Sequence, residues 1–337
     1  MAANGCKRVV LLGWYGSGNL GDEILLAQLA GWCADAGAQV TAISIDPQYT
    51  RRAHGIAAVD FFDYPGIVRA LAAADLLVFG GGGLFQTHQD FSVPALFGKV
   101  WSDVSSYARI GLMAQQLGVP TLMLAQGVGP LDTVEAQDIV RELFEASAGA
   151  SVRDQASMDW LRRAGVERSI ELAPDPVWAW PIPGRMTPAR GEGEVPTLAV
   201  VVRPWGGSPG WETPLVDALG ALVRDGAARL RWLPCQSRVV PGRSASDVDF
   251  VSELAERVEG RGKPDVRAFE DAGSWLDAVA GCDGLLAMRL HAQILGSRLG
   301  LPVFGLEYDE KMASASVQLG IDARDRAPVD GLGAGFA

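Results

Sequence analysis

At 337 residues the chain is long enough for two domains, each with a core of its own. Apolar residues make up 48% and charged residues 20%, with 41 glycines, which describes a soluble α/β protein and excludes disorder or a fibre. The formal net charge of −11 argues against a nucleic-acid surface or a broadly anionic membrane, because both need basic faces.

The apolar run that follows Arg8 is too short for a signal-peptide core or a spanning helix, so a cytoplasmic protein is expected. Cys6, Cys33, Cys235 and Cys282 form no CxxC pair and have no histidine cluster nearby. Reduced structural thiols are expected, with neither a metal site nor a disulfide framework.

A buried strand is predicted over 8–13, then a glycine-rich turn, GWYGSGNLGDE, opening a helix over 24–36. Gly16, Gly18 and Gly21 match the dinucleotide fingerprint numerically, but only Asp46 offers an acidic residue near the end of the next strand, 39–45. Asp22 and Glu23 would repel a pyrophosphate at the helix mouth. The loop is therefore assigned to sugar hydroxyls, through Asn19, Asp22 and Glu23, with a purely structural turn as the open alternative.

His54, among Arg51 and Arg52, reads as a surface histidine in a connection. A helix over 66–73 leads to a strand over 75–79. Gly80 to Gly83 follow, and such a run loses much entropy inside a strand or helix, so it is expected to bend closely around something. Gln86 and His88 are the ligand contacts this suggests, with a loop packed against the neighbouring helix as the open alternative. Then come a helix over 101–117, a strand over 121–124, a glycine turn over 125–130 and a helix over 132–146. A short strand, 150–152, delivers Arg153 and Asp154 to the same sheet edge, and a helix over 155–164 completes this half. Strands alternating with helices indicate a parallel sheet covered on both faces.

The stretch before Pro196 is rich in proline, glycine and charge, which divides the chain into a domain over 1–180, a linker over 181–196 and a second domain over 197–325. Strands are predicted over 197–202, 229–233, 266–269, 284–288 and 302–306, with helices over 211–224, 247–258, 273–280 and 292–299. The polar residues 307–311 read as a turn, and 326–337 as a tail without a role.

The fold expected is α/β, two Rossmann-like domains in a GT-B-like arrangement with an interdomain cleft. In such sheets ligands sit beyond the carboxyl ends of strands, where Arg289, His291 and Lys311 fall. The free N–H groups of a helix start favour an anion, and Arg289 adds a fork that grips carboxylate or phosphate. The open alternative pairs Arg289 with Asp283 or Glu307 and leaves His291 as a helix cap.

GWYGSGNLGDE (13–23), DLLVFGGGGLFQ (75–86), AQGVGP (125–130), SVRDQAS (151–157), APDPV (173–177), VVRPW (201–205), MRLHA (288–292) and GLEYDEK (305–311) resemble, in order, the successive signatures of the polysaccharide pyruvyl transferase family. The glycine loop departs from that pattern, with Leu84 and Phe85 where the family often has a small residue and leucines, and Thr87 where an aspartate is common. The resemblance implies transfer of pyruvate from phosphoenolpyruvate to two hydroxyls of a hexose in a cell-surface polysaccharide precursor, as a cyclic ketal. It implies Arg153, Arg289, Leu290, His291 and Lys311 as phosphoenolpyruvate contacts; the chemistry of that donor adds Arg203 as a further phosphate partner and asks for an acid to protonate the methylene carbon, the role expected of His291. The second domain would be the donor side, and the first the acceptor side, with Asn19, Asp22, Glu23 and Gln86. No cofactor or metal is required, phosphoenolpyruvate being a co-substrate. The partners expected are that donor and a sugar or lipid-linked saccharide, the latter with transient contact at the inner membrane face, and no nucleic acid. A GT-B glycosyltransferase using a nucleotide sugar shares the architecture and remains the enzyme alternative. A two-lobed anion-binding module without catalysis is the other.

Overall fold

A computed structural model describes residues 7–87, 91–99, 103–182, 193–240, 246–260, 262–269 and 271–332. They form two compact units. The first holds the chain up to Ser17, Asp22–Ala179 and Val240; the second holds Gly18–Gly21, Trp180–Val239 and the described chain from 246 on.

The first unit runs β1 (Arg8–Leu12), α1 (Leu20–Asp35, whose first two residues count with the second unit), β2 (Gln39–Ser44), α2 (Pro47–His54), β3 (Ala57–Asp60), α3 (Tyr64–Ala72), β4 (Leu76–Phe85), α4 (Asp103–Gln116), β5 (Thr121–Val128), α5 (Val134–Glu145), β6 (Gly149–Val152), α6 (Gln155–Arg163) and β7 (Glu171–Leu172). Its sheet has the order β3-β2-β1-β4-β5-β6-β7, and its strand pairs are parallel. The sequence of β1 explains why both faces are covered: Val10 and Leu12 enter one core cluster, Val9 and Leu11 another. An unbroken apolar run is what a strand buried on both sides requires.

The second unit runs β8 (Thr197–Val201), α7 (Glu212–Arg224), β9 (Arg229–Trp232), α8 (Val248–Glu259), β10 (Asp265–Val266), α9 (Ala272–Ala280), β11 (Gly284–Ala287), α10 (Leu290–Arg298), β12 (Val303–Glu307), α11 (Glu310–Gln318) and β13 (Arg326–Pro328). Its sheet order, β10-β9-β8-β11-β12-β13, repeats the first pattern. Each sheet therefore reverses direction once, between β1 and β4 and between β8 and β11. In open α/β sheets connections diverge to opposite faces at such a point, which is where ligands bind beyond the strand ends.

Several expectations are corrected. The glycine run does not leave the sheet: β4 continues through Gly80–Gly83, pairing Gly80 with Leu124 and Gly82 with Gln126 before a register shift. Cross-strand pairing offsets the entropy that local propensity counts against it, and two of the glycines supply backbone a side chain would strain, φ +81° at Gly81 and +83° at Gly82. His54 is no surface histidine. It ends α2 with its side chain only 10% exposed, against Glu23. The polar residues 307–311 are the end of β12 and the start of α11, where Asp309 Oδ1 accepts from Met312 N–H at 2.8 Å. The supposed tail supplies β13, paired with β12, and sends Val329 and Leu332 into the core. Edge strands β3 and β7 were not anticipated; each is short, and β7 has only two residues. Part of the linker, 183–192, and His88 lie outside the described residues.

Candidate active site

The reversal point of the second sheet gathers its cations. Val201 pairs with Ala287 in the β8–β11 ladder, so the chain emerges from adjacent strands with Arg203 and Arg289 two residues further on in each. Their charges act on one another. Arg203 is held below the usual arginine range, first by the charge of Arg289 and then by burial, against the pull of Tyr308 and Asp247. Burial works against the Arg289 charge as well, but Asp247, Cys235 and Tyr308 outweigh it and leave Arg289 above the ordinary range. Two guanidiniums placed side by side favour a ligand with more than one negative charge.

Asp247 anchors the pair, its Oδ2 accepting from Arg289 Nη2 at 2.5 Å. The expected partners Asp283 and Glu307 are used elsewhere: Asp283 Oδ2 accepts from Thr197 N–H at 2.7 Å, and Glu307 Oε1 pairs with Arg326 at 3.1 Å. Arg203 lies 5.7 Å from the centre of the Tyr308 ring, which itself packs 4.6 Å from Trp205. Cys235, beside them, is no nucleophile, because burial pushes its thiol up to about 12.

Helix α10 starts directly behind Arg289, so Leu290 and His291 occupy its first turn, earlier than the sequence suggested. The N–H groups of that turn have no carbonyl four residues back, which suits an anion. His291 meets Gly21: a Cβ at Gly21 would stand 1.6 Å from Nδ1 of the imidazole. The short segment Gly18–Gly21 is tied to this unit by its backbone. Leu20 N–H donates to Cys235 O at 2.8 Å, and Asn19 forms an antiparallel bridge with Gln236. Asn19 Oδ1 also accepts from Gly21 N–H at 3.2 Å, fixing the start of α1. Lys311 falls in the first turn of α11, and its side chain lies outside the described residues.

In the first unit, Arg153 leaves the end of β6 with its side chain 9% exposed. Its Nη1 donates to Asp175 Oδ2 at 3.0 Å, and Asp154 Oδ2 lies 3.7 Å from Nε. Gly127 makes room for it, since a Cβ there would stand 2.9 Å from Nη2. Asp154 has a second task, accepting from Ser157 N–H at 2.7 Å to cap α6.

The residues expected to meet an acceptor fare differently. Asp22 Oδ1 would lie 3.2 Å from a Cβ on Gly82, over the glycine segment of β4. Gln86 follows β4 directly and is half-buried. Glu23 has both oxygens engaged within the fold: Oε1 accepts from Gly16 N–H at 2.9 Å and Oε2 meets His54 Nε2 at 2.8 Å. It is 8% exposed, and the structure gives it the task of holding the β1–α1 turn.

Asp247, Tyr308, Cys235 and Gln236 were missed as neighbours of the site. Tyr308 sits inside a recognised motif, whereas Asp247 opens an ordinary amphipathic helix and carries no local signal. Among the described residues no group of three or more His, Cys, Asp or Glu could hold a metal, and no helix is long and apolar enough to cross a membrane.

Comparison with solved structures places the fold. A UDP-GlcNAc 2-epimerase from Neisseria meningitidis bound to UDP-GlcNAc matches with a TM-score of 0.59 at 10% identity, over 92% of this chain and 85% of that one. A UDP-GlcNAc 2-epimerase from Methanocaldococcus jannaschii gives 0.54 at 10% identity, over 96% and 88%. A glycosyltransferase from Rickettsia africae gives 0.51 at 10% identity, over 97% and 86%. At such identities the likeness is one of fold, and it agrees with the two Rossmann-like domains of the GT-B class expected from the sequence. Comparison with curated protein sequences returned no match. The family model for polysaccharide pyruvyl transferase matches residues 19–310.

Proposed function

The chain belongs to the polysaccharide pyruvyl transferase family, and from that membership we propose that it moves pyruvate from phosphoenolpyruvate onto two hydroxyls of a sugar, closing a cyclic ketal and releasing phosphate. The acceptor is a saccharide of a cell-surface polysaccharide precursor. The observation that carries the reading is the pair Arg203 and Arg289 beyond adjacent strand ends, with His291 in the helix turn that follows.

Phosphoenolpyruvate bears a carboxylate and a phosphate on one three-carbon frame, so two guanidiniums can neutralise it where one would not. His291 gives a proton to the methylene carbon, and the neighbouring carbon becomes open to the first sugar hydroxyl. That bond forms as the hydroxyl loses its proton. The second hydroxyl then takes the place of phosphate on the same carbon, and phosphate leaves with its bonding pair. The hydroxyl protons balance the one placed on carbon and the one the departing phosphate accepts. Arg153 and Lys311 are further donor contacts in this scheme, and Asn19, Asp22 and Gln86 are acceptor contacts.

The test compares His291→Ala with Arg289→Ala. His291→Ala retains phosphoenolpyruvate binding by calorimetry and loses roughly 10²- to 10⁴-fold in phosphate release, the span of general-acid contributions. Arg289→Ala weakens binding itself. A thermal-shift series adds phosphoenolpyruvate and uridine diphosphate separately, since a ligand stabilises only the protein that binds it. Stabilisation by uridine diphosphate alone, with no phosphate released from phosphoenolpyruvate and a hexoside panel, would replace this reading with a nucleotide-sugar transferase.

A further inference from the structure

Asp247 stands immediately before α8, is 5% exposed, and yet makes no side-chain bond to the helix it precedes. Its backbone is fixed at both ends. Asp247 N–H donates to Gln236 O at 2.8 Å, in the loop after β9, and its carbonyl accepts from Val251 N–H at 2.9 Å. The carboxylate is therefore a rigid point offered by two elements, and its partner is Arg289, 42 residues away in sequence.

Arg289 is in turn incompletely used. Among the described residues its buried Nε has no hydrogen-bond partner, although Nη2 is held by Asp247. A buried donor left unmade is costly, and such groups concentrate where a ligand completes the set. Arg203 is the second consideration. With two guanidiniums emerging from adjacent strands, mutual repulsion would drive the forks apart unless a fixed negative charge opposed it.

We infer that Asp247 is the positioning residue of this anion site, holding the Arg289 guanidinium by one nitrogen so that its remaining donors face the ligand in a fixed plane beside Arg203. The inference rests on the reading of the β8–β11 edge as the donor site, but not on which anion is the donor. Asp247 touches no substrate. It acts through Arg289, and removing its charge loosens the fork without disturbing the proton donor.

Asp247→Asn separates this from a structural duty, because asparagine matches aspartate in size and as a helix-start residue, so α8 forms as before. Binding of phosphoenolpyruvate, uridine diphosphate and inorganic phosphate is measured by calorimetry on wild type, Asp247→Asn, Arg289→Ala and the double variant. Asp247→Asn is expected to weaken the bound anion about tenfold or more, within the span of coupling between contacting residues, with kcat changed far less than KM. On the Arg289→Ala background the same substitution changes affinity no further. If Asp247→Asn does not fold, Asp247→Glu is used, which keeps the charge but displaces it, and the same rise in KM at steady kcat is expected. Wild-type affinity in the first substitution, or a full additional loss in the double variant, overturns the inference. If wild type binds uridine diphosphate and not phosphoenolpyruvate, the pyruvyl-transfer reading fails while the cycle is read on uridine diphosphate. If none of the three anions binds wild type, Arg289 is no anion contact and the inference falls with it.

Discussion

Gly21→Ala isolates one contact. The backbone of Gly21 does not have the positive φ of Gly16 or Gly18, so alanine is conformationally acceptable there. Its added methyl is not, because it would lie 1.6 Å from Nδ1 and 2.3 Å from Cγ of His291. Carbon and nitrogen settle near 3.5 Å, so the imidazole must retreat by roughly 2 Å. Misplacement of a reacting group by about 1 Å can cost about 10²-fold in rate, so turnover should fall at least about 10²-fold, or about 3 kcal/mol of barrier. Overpacking should also cost stability by about 1–3 kcal/mol. Anion affinity should stay near wild type, because Arg203 and Arg289 are untouched. The direct assay is NMR of the histidine rings: the chain has three histidines, and the signal absent in His291→Ala should be the one that moves most in Gly21→Ala. Gly31→Ala is the control, an exposed position in α1 with nothing within 4 Å of the new methyl, and should stabilise by about 0.5–1 kcal/mol with unchanged activity. An unmoved His291 signal in Gly21→Ala, together with wild-type turnover, would refute the seating of His291 on Gly21.

Two further variants have expected outcomes. Arg153→Ala removes the cation between Asp175 and Asp154, whose side chains are 4% and 6% exposed, and thermal unfolding should show a loss of about 3–5 kcal/mol; an unchanged Tm would mean the pair contributes nothing. The same variant should raise KM for phosphoenolpyruvate, and an unmoved KM would take Arg153 out of the donor site. Burial opposes ionisation of Asp265, but hydrogen bonds from Arg267 and Arg231 outweigh it and hold the carboxyl below the usual aspartate range. A depressed folded value means stability that is present above the unfolded aspartate pKa near 3.9 and lost as pH falls through the folded one. Asp265→Asn should therefore lower Tm at pH 7 and converge with wild type as the pH falls through the folded value, and a gap that stays constant on acidification would contradict the pairing.

Alternation of apolar strands with amphipathic helices was legible because it is local, and so was the position of Arg289 between a strand and a helix. What was not legible depended on distant partners. Asp247 lies 42 residues from Arg289, and His54 lies 31 from Glu23, so neither pairing left a mark in the neighbouring sequence. The glycines of β4 misled for a related reason. Propensity counts what glycine loses on ordering, while the sheet counts what it admits: a Cβ on Gly80 would stand 2.0 Å from the Tyr15 hydroxyl and 2.7 Å from Leu29. β13 is short and lacks an apolar run, and only its ladder with β12 makes it a strand.

The loop that matched a dinucleotide fingerprint shows how a spacing and a use can part. A pyrophosphate cradle needs the N–H groups of the first turn free and the helix mouth uncharged or positive. Here the Gly16 N–H donates to Glu23, which His54 holds in turn, so the amide that would face a phosphate is already spent on the fold. Gly16 is required for another reason, since with φ +84° its Cβ would stand 2.2 Å from Ser44 Oγ. Gly18 has φ +72° and would meet the Arg238 side chain, and Gly21 would meet His291. Three glycines at the fingerprint spacing thus serve three different close approaches. None of them frees the Gly16 amide or removes the acidic pair Asp22 and Glu23 from the helix mouth. The anion site proposed above lies instead at the β8–β11 edge of the second unit, where Arg203 and Arg289 carry the sign of charge an anion needs.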